Sequence, residues 1–463
     1  MTQFAPHLAA IRFGTGRSPK ADDPASVNAM LRTLRSTDKL AATFPIDPLS
    51  SIAEEARAIR QRDRDVAQGN DADKAEAKAA KDAFFDRERA NGLSHFGATL
   101  ARAVAAPDGF RDRLTWFWAD HFAVEGRGLF LRYRTDTYAD EAIRPHLAGS
   151  FAELLRAAAL HPVMLQFLDQ TSSIGPNSRT AKRQGDRGLN ENLAREILEL
   201  HTLGVQGGYT QTDVRQFAEL LSGVGLNGRL ETQYFEARAE PGSETVLGFT
   251  SSAKEGQFED VAEFLDRLAV HPDTARHIAK KLAIHFVSDT PDPDLVTTME
   301  RRWLETDGDL AEVYRAMLEH PTSWSAELQK VKRPIEFVVS TLRALDVPAA
   351  RVARWSEERP VQFNRWIGQP MQRMGQRWTR PGGPDGWPET AEAWITPNTL
   401  AERLRWVLRI QDLPRLEVAE PRAVLDAALG PLAHSRLRLA VDGAETREEA
   451  VALALLSPEF QRR

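Results

Sequence analysis

The chain has 463 residues, of which 42% are hydrophobic and 27% charged, with a formal net charge of -6. That balance describes a globular chain of one large domain or two, excludes a disordered one, and gives no electrostatic reason to coat nucleic acid or anionic membrane. Cysteine is absent, which removes disulfides, thiolate metal sites and cysteine nucleophiles together.

Residues 1–50 read as a segment packed on the core. Their opening, MTQFAPHLAAIRFGTGRSP, has no basic region followed by an apolar run, so the expected location is cytoplasmic. The longest apolar stretches, such as Ala450 to Leu456, fall far short of the ~20 residues that span a bilayer. From 51 to 92 the chain is rich in Ala, Arg, Asp, Glu and Lys, which predicts a charged helical arm or hairpin broken at Gly69-Asn70. The nearest approach to a basic run is Lys182-Arg183.

Residues 93–345 form the expected helical core. Apolar residues recur there every three or four positions in FAELLRAAAL (151–160), VAEFLDRLAV (261–270) and TARHIAKKLAIHFV (274–287). Strand character is confined to Glu231–Leu247, beside Pro241-Gly242, which predicts a short hairpin. The last part, 346–463, reads as helices around a loop, with Trp355, Trp366, Trp378, Trp387, Trp394 and Trp406 flanking RPGGPDGWP (380–388). Exposed tryptophans stack on sugars or enter partner surfaces, but the preferred reading is that GWP and Trp394 pin this loop onto the helices. The expected fold is all-α: a large, bundle-like multi-helix domain with one short β-hairpin and a loop-rich, Trp-rich C-terminal part.

One junction recurs, as LHP (160–162), VHP (270–272), EHP (319–321) and LSP (456–458), each after an apolar helical run. Proline suits the first helical position because its missing N–H is not needed there. His161, His271, His320 and Ser457 are therefore read as helix N-caps, not ligands.

The most polar helical stretch is NENLAREILELHTLGVQGGYTQTDV (190–214). Asn190 suits an N-cap, Gly204 the position after the helix with Val205 folding back on Leu200, and Thr210 with Asp213 a capping box in which Tyr209 staples against Val214. At about 100° per residue, Asn192, Arg195, Glu196 and Glu199 share one face, while Leu193, Ala194, Ile197, Leu200 and His201 share the other. The polar face is either solvated or turned into a cleft where Glu196 and Glu199 bind a metal or exchange protons.

This stretch, N-E-N-x-A-R-E-x-x-E-L-H-T-L-G followed by G-Y-T-x-x-D-V, resembles the signature of a large bacterial family of unknown function, catalogued as domain of unknown function number eighteen hundred. The resemblance continues through AIRFGTG, WFWADHF (116–122), YADEAIRPHLAGSFAELL (138–155), HPVMLQFLD (161–169), TARHIAKKLAIHFVSD (274–289), IGQP (367–370), GWP (386–388) and SPEFQ (457–461). The family tends to aromatics where this chain has His277 and His285, so no shared metal role is assigned to those two. The resemblance implies a helical fold and a bacterial source, and it brings no catalytic residues. It also implies a companion, because members often accompany sulfatase-like proteins and many look exported. A periplasmic location by co-export with a signal-bearing partner is thus the alternative to the cytoplasm.

In WADHFAVEG, His121 and Glu125 stand four apart and share a helical face if the helix reaches Gly126. With Asp120 and Asp169 nearby in the pattern, the candidate catalytic set is His121, Asp169, Arg195, Glu196 and Glu199. The candidate metal set is His121, Glu125, Glu196 and Glu199, for a divalent ion. The Glu-x-x-His pairs of ferritin-like bundles are missing, as are the phosphate-loop, H-E-x-x-H and G-x-S-x-G motifs. The preferred function is an accessory or binding partner of a sulfatase-like companion. The alternative is a metal- or acid/base-dependent enzyme with a His/carboxylate cleft.

Overall fold

A computed structural model of the chain describes residues 3–66, 70–184, 188–252, 258–413 and 420–463. Helix dominates these residues, and none of the helices is long and apolar enough to cross a membrane. Strand is confined to two small antiparallel hairpins, Val224–Leu226 with Thr232–Tyr234 and Thr245–Val246 with Phe249–Thr250. Two form where one was expected because the segment holds two tight turns. Asn227 Oδ1 accepts the backbone N–H groups of Arg229 and Glu231 in the first. In the second, Leu247 and Gly248 both take positive φ, the geometry that closes a two-residue hairpin.

The charged arm is a helical hairpin. Ala53–Asp65 lies against Asp71–Ala105, joined by ion pairs Arg87–Glu55 and Lys81–Asp63 at 2.5 and 2.7 Å. Asn70 and Asp73 form a reciprocal capping box that starts the second helix; Gly69, the other half of the expected break, lies outside the described residues. This 35-residue helix runs without a break past residue 92 and enters both cores of the molecule.

The first apolar core gathers residues from Leu8 to Trp324. The second begins at Ile335, continues to Phe460, and takes in Phe96, Leu100, Ala101 and Val104 from the end of the long helix. The Phe110–His121 helix serves both, since Trp116 packs in the second core while Phe117 and Trp118 pack in the first. The site described below lies on that seam. The tryptophans divide accordingly: Trp355, Trp366 and Trp406 pack in the second core, and Trp378, Trp387 and Trp394 accompany the loop.

The proline junctions are caps. His161, His271 and His320 each accept, through Nδ1, the backbone N–H two residues on, and Ser457 Oγ accepts that of Phe460. The far nitrogens of His161 and His320 meet Glu141 and Asp294 at 3.0 and 3.1 Å, which orients each ring for its cap. Replacing His271 by Ala should cost about 0.5–2 kcal/mol in urea unfolding, while Asn, which offers an acceptor at similar reach, should restore most of it. Equal losses for both variants would mean that the ring packs and does not cap.

Candidate active site at the seam of the two cores

Four stretches of chain converge at the seam. The Phe110–His121 helix ends there, and the chain runs on buried through Phe122, Ala123 and Val124. This corrects one expectation: the helix does not reach Gly126, so Glu125 does not share a face with His121. Glu125 instead turns outward, 3.5 Å from Arg380. The helix does deliver Asp120 to the seam.

The second stretch, KVKRP, leads into the Pro334–Ala344 helix. Lys330, Lys332 and Arg333 are buried, and their backbone is held by the 461–463 segment, with Lys332 N–H donating to Gln461 and Arg463 N–H to Lys330. The third is the Pro272–Phe286 helix, which carries His277, Lys281 and His285 at four-residue spacing. The fourth is the loop after Trp378, which crosses the other three. Gly386 makes that crossing feasible, because its φ is +81° and a Cβ there would lie 2.6 Å from Asp120 atoms.

Arg333 bridges Asp120 (2.7 Å) and Glu389 of the loop. Asp120 also accepts the Trp387 backbone N–H at 2.8 Å. Glu389 accepts from His285 Nδ1 at 2.7 Å and lies 3.3 Å from Lys330 Nζ, which also pairs with Asp289 and donates to the Glu389 backbone carbonyl. On its other side, His285 Nε2 faces Arg113 at 3.3 Å, and Arg113 and Arg463 both pair with Glu336, at 3.0 and 2.7 Å. Burial drives His285 down to about 3, so the ring is neutral, donates from Nδ1 and accepts from Arg113 at Nε2. Burial alone would raise Glu389, yet Arg333, His285 and Lys330 outweigh it and hold the carboxyl well below its ordinary value.

Beside this chain of charges lies a cavity of about 70 Å³, lined by Asp120, His285, Arg333 and Glu336, by the aromatics Trp116, Tyr138, Trp378 and Trp387, and by Asp136. Asp136 differs from the others. It accepts from Thr99 Oγ1 at 3.0 Å and Trp378 Nε1 at 3.1 Å and has no salt bridge among the described residues. Burial therefore prevails over those two hydrogen bonds and raises its carboxyl to about 6. Asp120 is raised too, by burial, against Arg333; the cavity thus sets two raised carboxyls, of which only Asp136 lacks a salt bridge among the described residues, beside Arg333, His285 and Glu336 in fixed charge states, the combination that acid–base sites use.

Of the residues singled out from the sequence, Asp120 lines this cavity, whereas His121, Glu125, Asp169, Arg195, Glu196 and Glu199 do not. His121 is buried against the first core and its Nε2 lies 3.1 Å from the His201 carbonyl. His121, His201 and His277 are neighbours, with ring centroids 5.9 and 6.4 Å from His121. Burial, reinforced by Lys281, holds all three down, His201 to about 3 and His277 to about 4. Asp169 is exposed at a left-handed turn, 3.6 Å from Arg127. Arg195 ties its helix to the next through Glu191 (2.9 Å) and Gln211 (3.2 Å). Glu196 is half-buried and raised by burial and by Glu199, and Glu199 hydrogen-bonds Tyr209. Among the described residues, no three His, Asp or Glu side chains come together so as to hold a metal ion.

The reading of 190–214 holds in its Thr210 cap and in its two faces: Leu193, Ala194, Ile197 and His201 are buried, while Asn192, Arg195, Glu196 and Glu199 are not. Thr210 and Asp213 form the capping box, and Asn190 Oδ1 accepts the Asn192 N–H. Gly204 takes φ +83°, but Val205 is 64% exposed and does not fold back. Residues Ile197–Thr202 form a wider π turn, yet Glu199 stays beside Glu196 on the polar side and His201 stays buried. The residues that define the cavity carry a weak but legible signal: a basic run, Lys330 to Arg333, directly before an apolar helix, and a His-Lys-His stripe at helical spacing in 277–285.

The class that emerges is a two-core helical protein whose cores meet over a buried ionic network and an aromatic-walled cavity. Residues 9–462 match the family model described as "Protein of unknown function (DUF1800)", and the chain belongs to that family. Neither curated proteins nor solved structures give a match.

Asp136 carries a pH signature. Its folded value, about 6, stands above its unfolded one, 3.8, so between those values the folded state keeps a proton that the unfolded state has released. Its contribution to stability is greatest below pH 4, falls as pH rises to about 6 and is level above, a swing on the order of 2–3 kcal/mol. Asp136→Asn should lack this swing, and its stability relative to the parent should climb across that window in urea titrations. A difference that does not vary with pH would refute the assignment.

Proposed function

We propose that the seam cavity is an active site for acid–base chemistry, with Asp136 as the group that gives and takes the proton and the Asp120–Arg333–Glu389–His285 chain as the fixed electrostatic frame. The observation that carries this reading is the pairing, in one aromatic-walled cavity, of a carboxyl near neutral titration with charges held immobile by several contacts each. A proton donor works best when its pKa lies near the working pH, and such a group is worth roughly 10²–10⁴-fold in rate. Trp116, Trp378 and Trp387 would exclude water from the reacting group. The metal set His121, Glu125, Glu196 and Glu199 is not gathered at this cavity and has no part in the proposal.

The test is untargeted: incubate the protein with small-molecule extract of a host that carries this gene and follow it by mass spectrometry. Wild type should convert at least one compound, Asp136→Asn should convert it roughly 10²-fold or more slowly while remaining folded at the assay temperature, and Glu196→Gln should behave as the parent. No conversion by wild type, or full conversion by Asp136→Asn, would overturn the reading.

A second reading, an accessory of a sulfatase-like companion that shares its compartment, in the cytoplasm or by co-export in the periplasm, is supported by the surface of the Pro397–Ile410 helix. Leu400, Leu404 and Leu408 stand on one face at four-residue spacing and are 40, 44 and 43% exposed; such apolar stripes mark partner contacts. Affinity capture with the tagged chain from its host should recover the companion, and Leu404→Glu should lose it. Capture unaffected by Leu404→Glu and Leu408→Glu would remove this helix from the contact.

A further inference from the structure

The loop from Gly375 to Glu389 covers the cavity as a strap and contributes a carboxylate to the network beneath. Its first residues are anchored to the second core, by Gln376 Oε1 accepting the Ile335 N–H and by Trp378 stacked on Phe96. Beyond Trp378 it is held by polar contacts of Arg380 with Glu125 at 3.5 Å, of the Trp387 N–H with Asp120, and of Glu389 with His285, Arg333 and Lys330, together with the Trp387–Trp394 ring contact, and Glu389 itself is a quarter exposed at the rim. Thr379, near the strap's start, has φ +62°, a conformation costly for a β-branched residue and typical of segments with a second position. The cavity's volume of about 70 Å³ is room for only a few waters. A metabolite larger than that displaces the strap.

When the strap leaves, it takes one anion and no cation from the network. Asp120, Asp289 and Glu336 stay behind with Arg113, Lys330, Arg333 and Arg463, and Lys281 stands close to Asp120. The His285 Nδ1–H and one Arg333 nitrogen, Nη2, then lack an acceptor. Arg333 Nε is buried without a partner among the described residues even when Glu389 is in place. The tethered carboxylate thus leaves its cradle incompletely satisfied, and a free one can approach from the cavity side.

We propose that the His285–Lys330–Arg333 cradle is the binding site for the carboxylate of a small-molecule substrate, and that Glu389 is a tethered stand-in that occupies it until the ligand displaces the strap. This deepens the acid–base reading, on which it rests for the cavity's role: the cradle holds the substrate's carboxylate and Asp136 lies across the same cavity. A tethered group competes at an effective concentration in the millimolar range, so removing it should tighten binding of a free carboxylate.

The experiment uses propionate as the carboxylate probe and propionamide as its neutral isostere, with hydrogen exchange of the peptide covering 377–390 as the readout. In wild type, propionate should raise strap exchange saturably and propionamide should not. Glu389→Ala and Glu389→Gln should bind propionate at roughly tenfold lower concentration or below, as judged by saturable thermal stabilisation. A strap indifferent to propionate, equal effects of the amide, or variants that bind no tighter than the parent would each overturn the proposal. Should Glu389→Ala not fold, Glu389→Gln decides the affinity, and the wild-type exchange decides displacement in either case. Because these readouts are binding and opening, they can fail while Asp136-dependent conversion persists, and the reverse failure is equally visible.

Discussion

The structure depends on Arg333. Its guanidinium joins Asp120, at the end of a helix shared by both cores, to Glu389, on the loop that closes the seam, while its backbone N–H is capped by Glu336 at the start of the second core's central helix. Taking such charges out of water costs several kcal/mol per ion, and only good geometry with further hydrogen bonds offsets it. The surroundings supply both: each carboxylate here has at least two donors or cations, and the cations lie on rigid helices or on backbone pinned by the 461–463 segment. An apolar seam would pack the two halves at lower cost. The retained charges form the walls of the cavity.

Histidine does two different jobs in this molecule, and backbone context separates them. His161, His271 and His320 precede a proline at a helix start, where Nδ1 meets an otherwise unpaired N–H. His121, His201, His277 and His285 sit within helical segments and pack around the first core or the seam, kept neutral by burial. Of these only His285 has a carboxylate on one nitrogen and a guanidinium on the other. That pairing sets it apart from a core histidine.

The polar stretch at 190–214 is a capped pair of helical segments that flanks the site. Its Arg195–Glu191–Gln211 contacts tie one helix to the next at the surface, and its π turn opens the carbonyl of His201, which faces His121 Nε2. Through this wider turn Glu199 keeps to the side of Glu196 and His201 to the core.

Local features were legible in the sequence because they depend on neighbours in the chain. Apolar spacing specified the helical fold, proline and its preceding His or Ser specified the caps, Asn70 the start of the long helix, and the Gly-Pro loop its pinning by Trp387 and Trp394. The signature motifs specified the family. The site was legible only in fragments: Asp120 and His285 drew notice, but Asp136, Arg333 and Glu389 lie far apart along the chain and share no motif. Which charges are buried, which carboxyl burial raises to about 6, and which loop lies over which helix are set by contacts between distant segments. Electrostatic environment is a property of that three-dimensional neighbourhood, so the tertiary structure alone decided it.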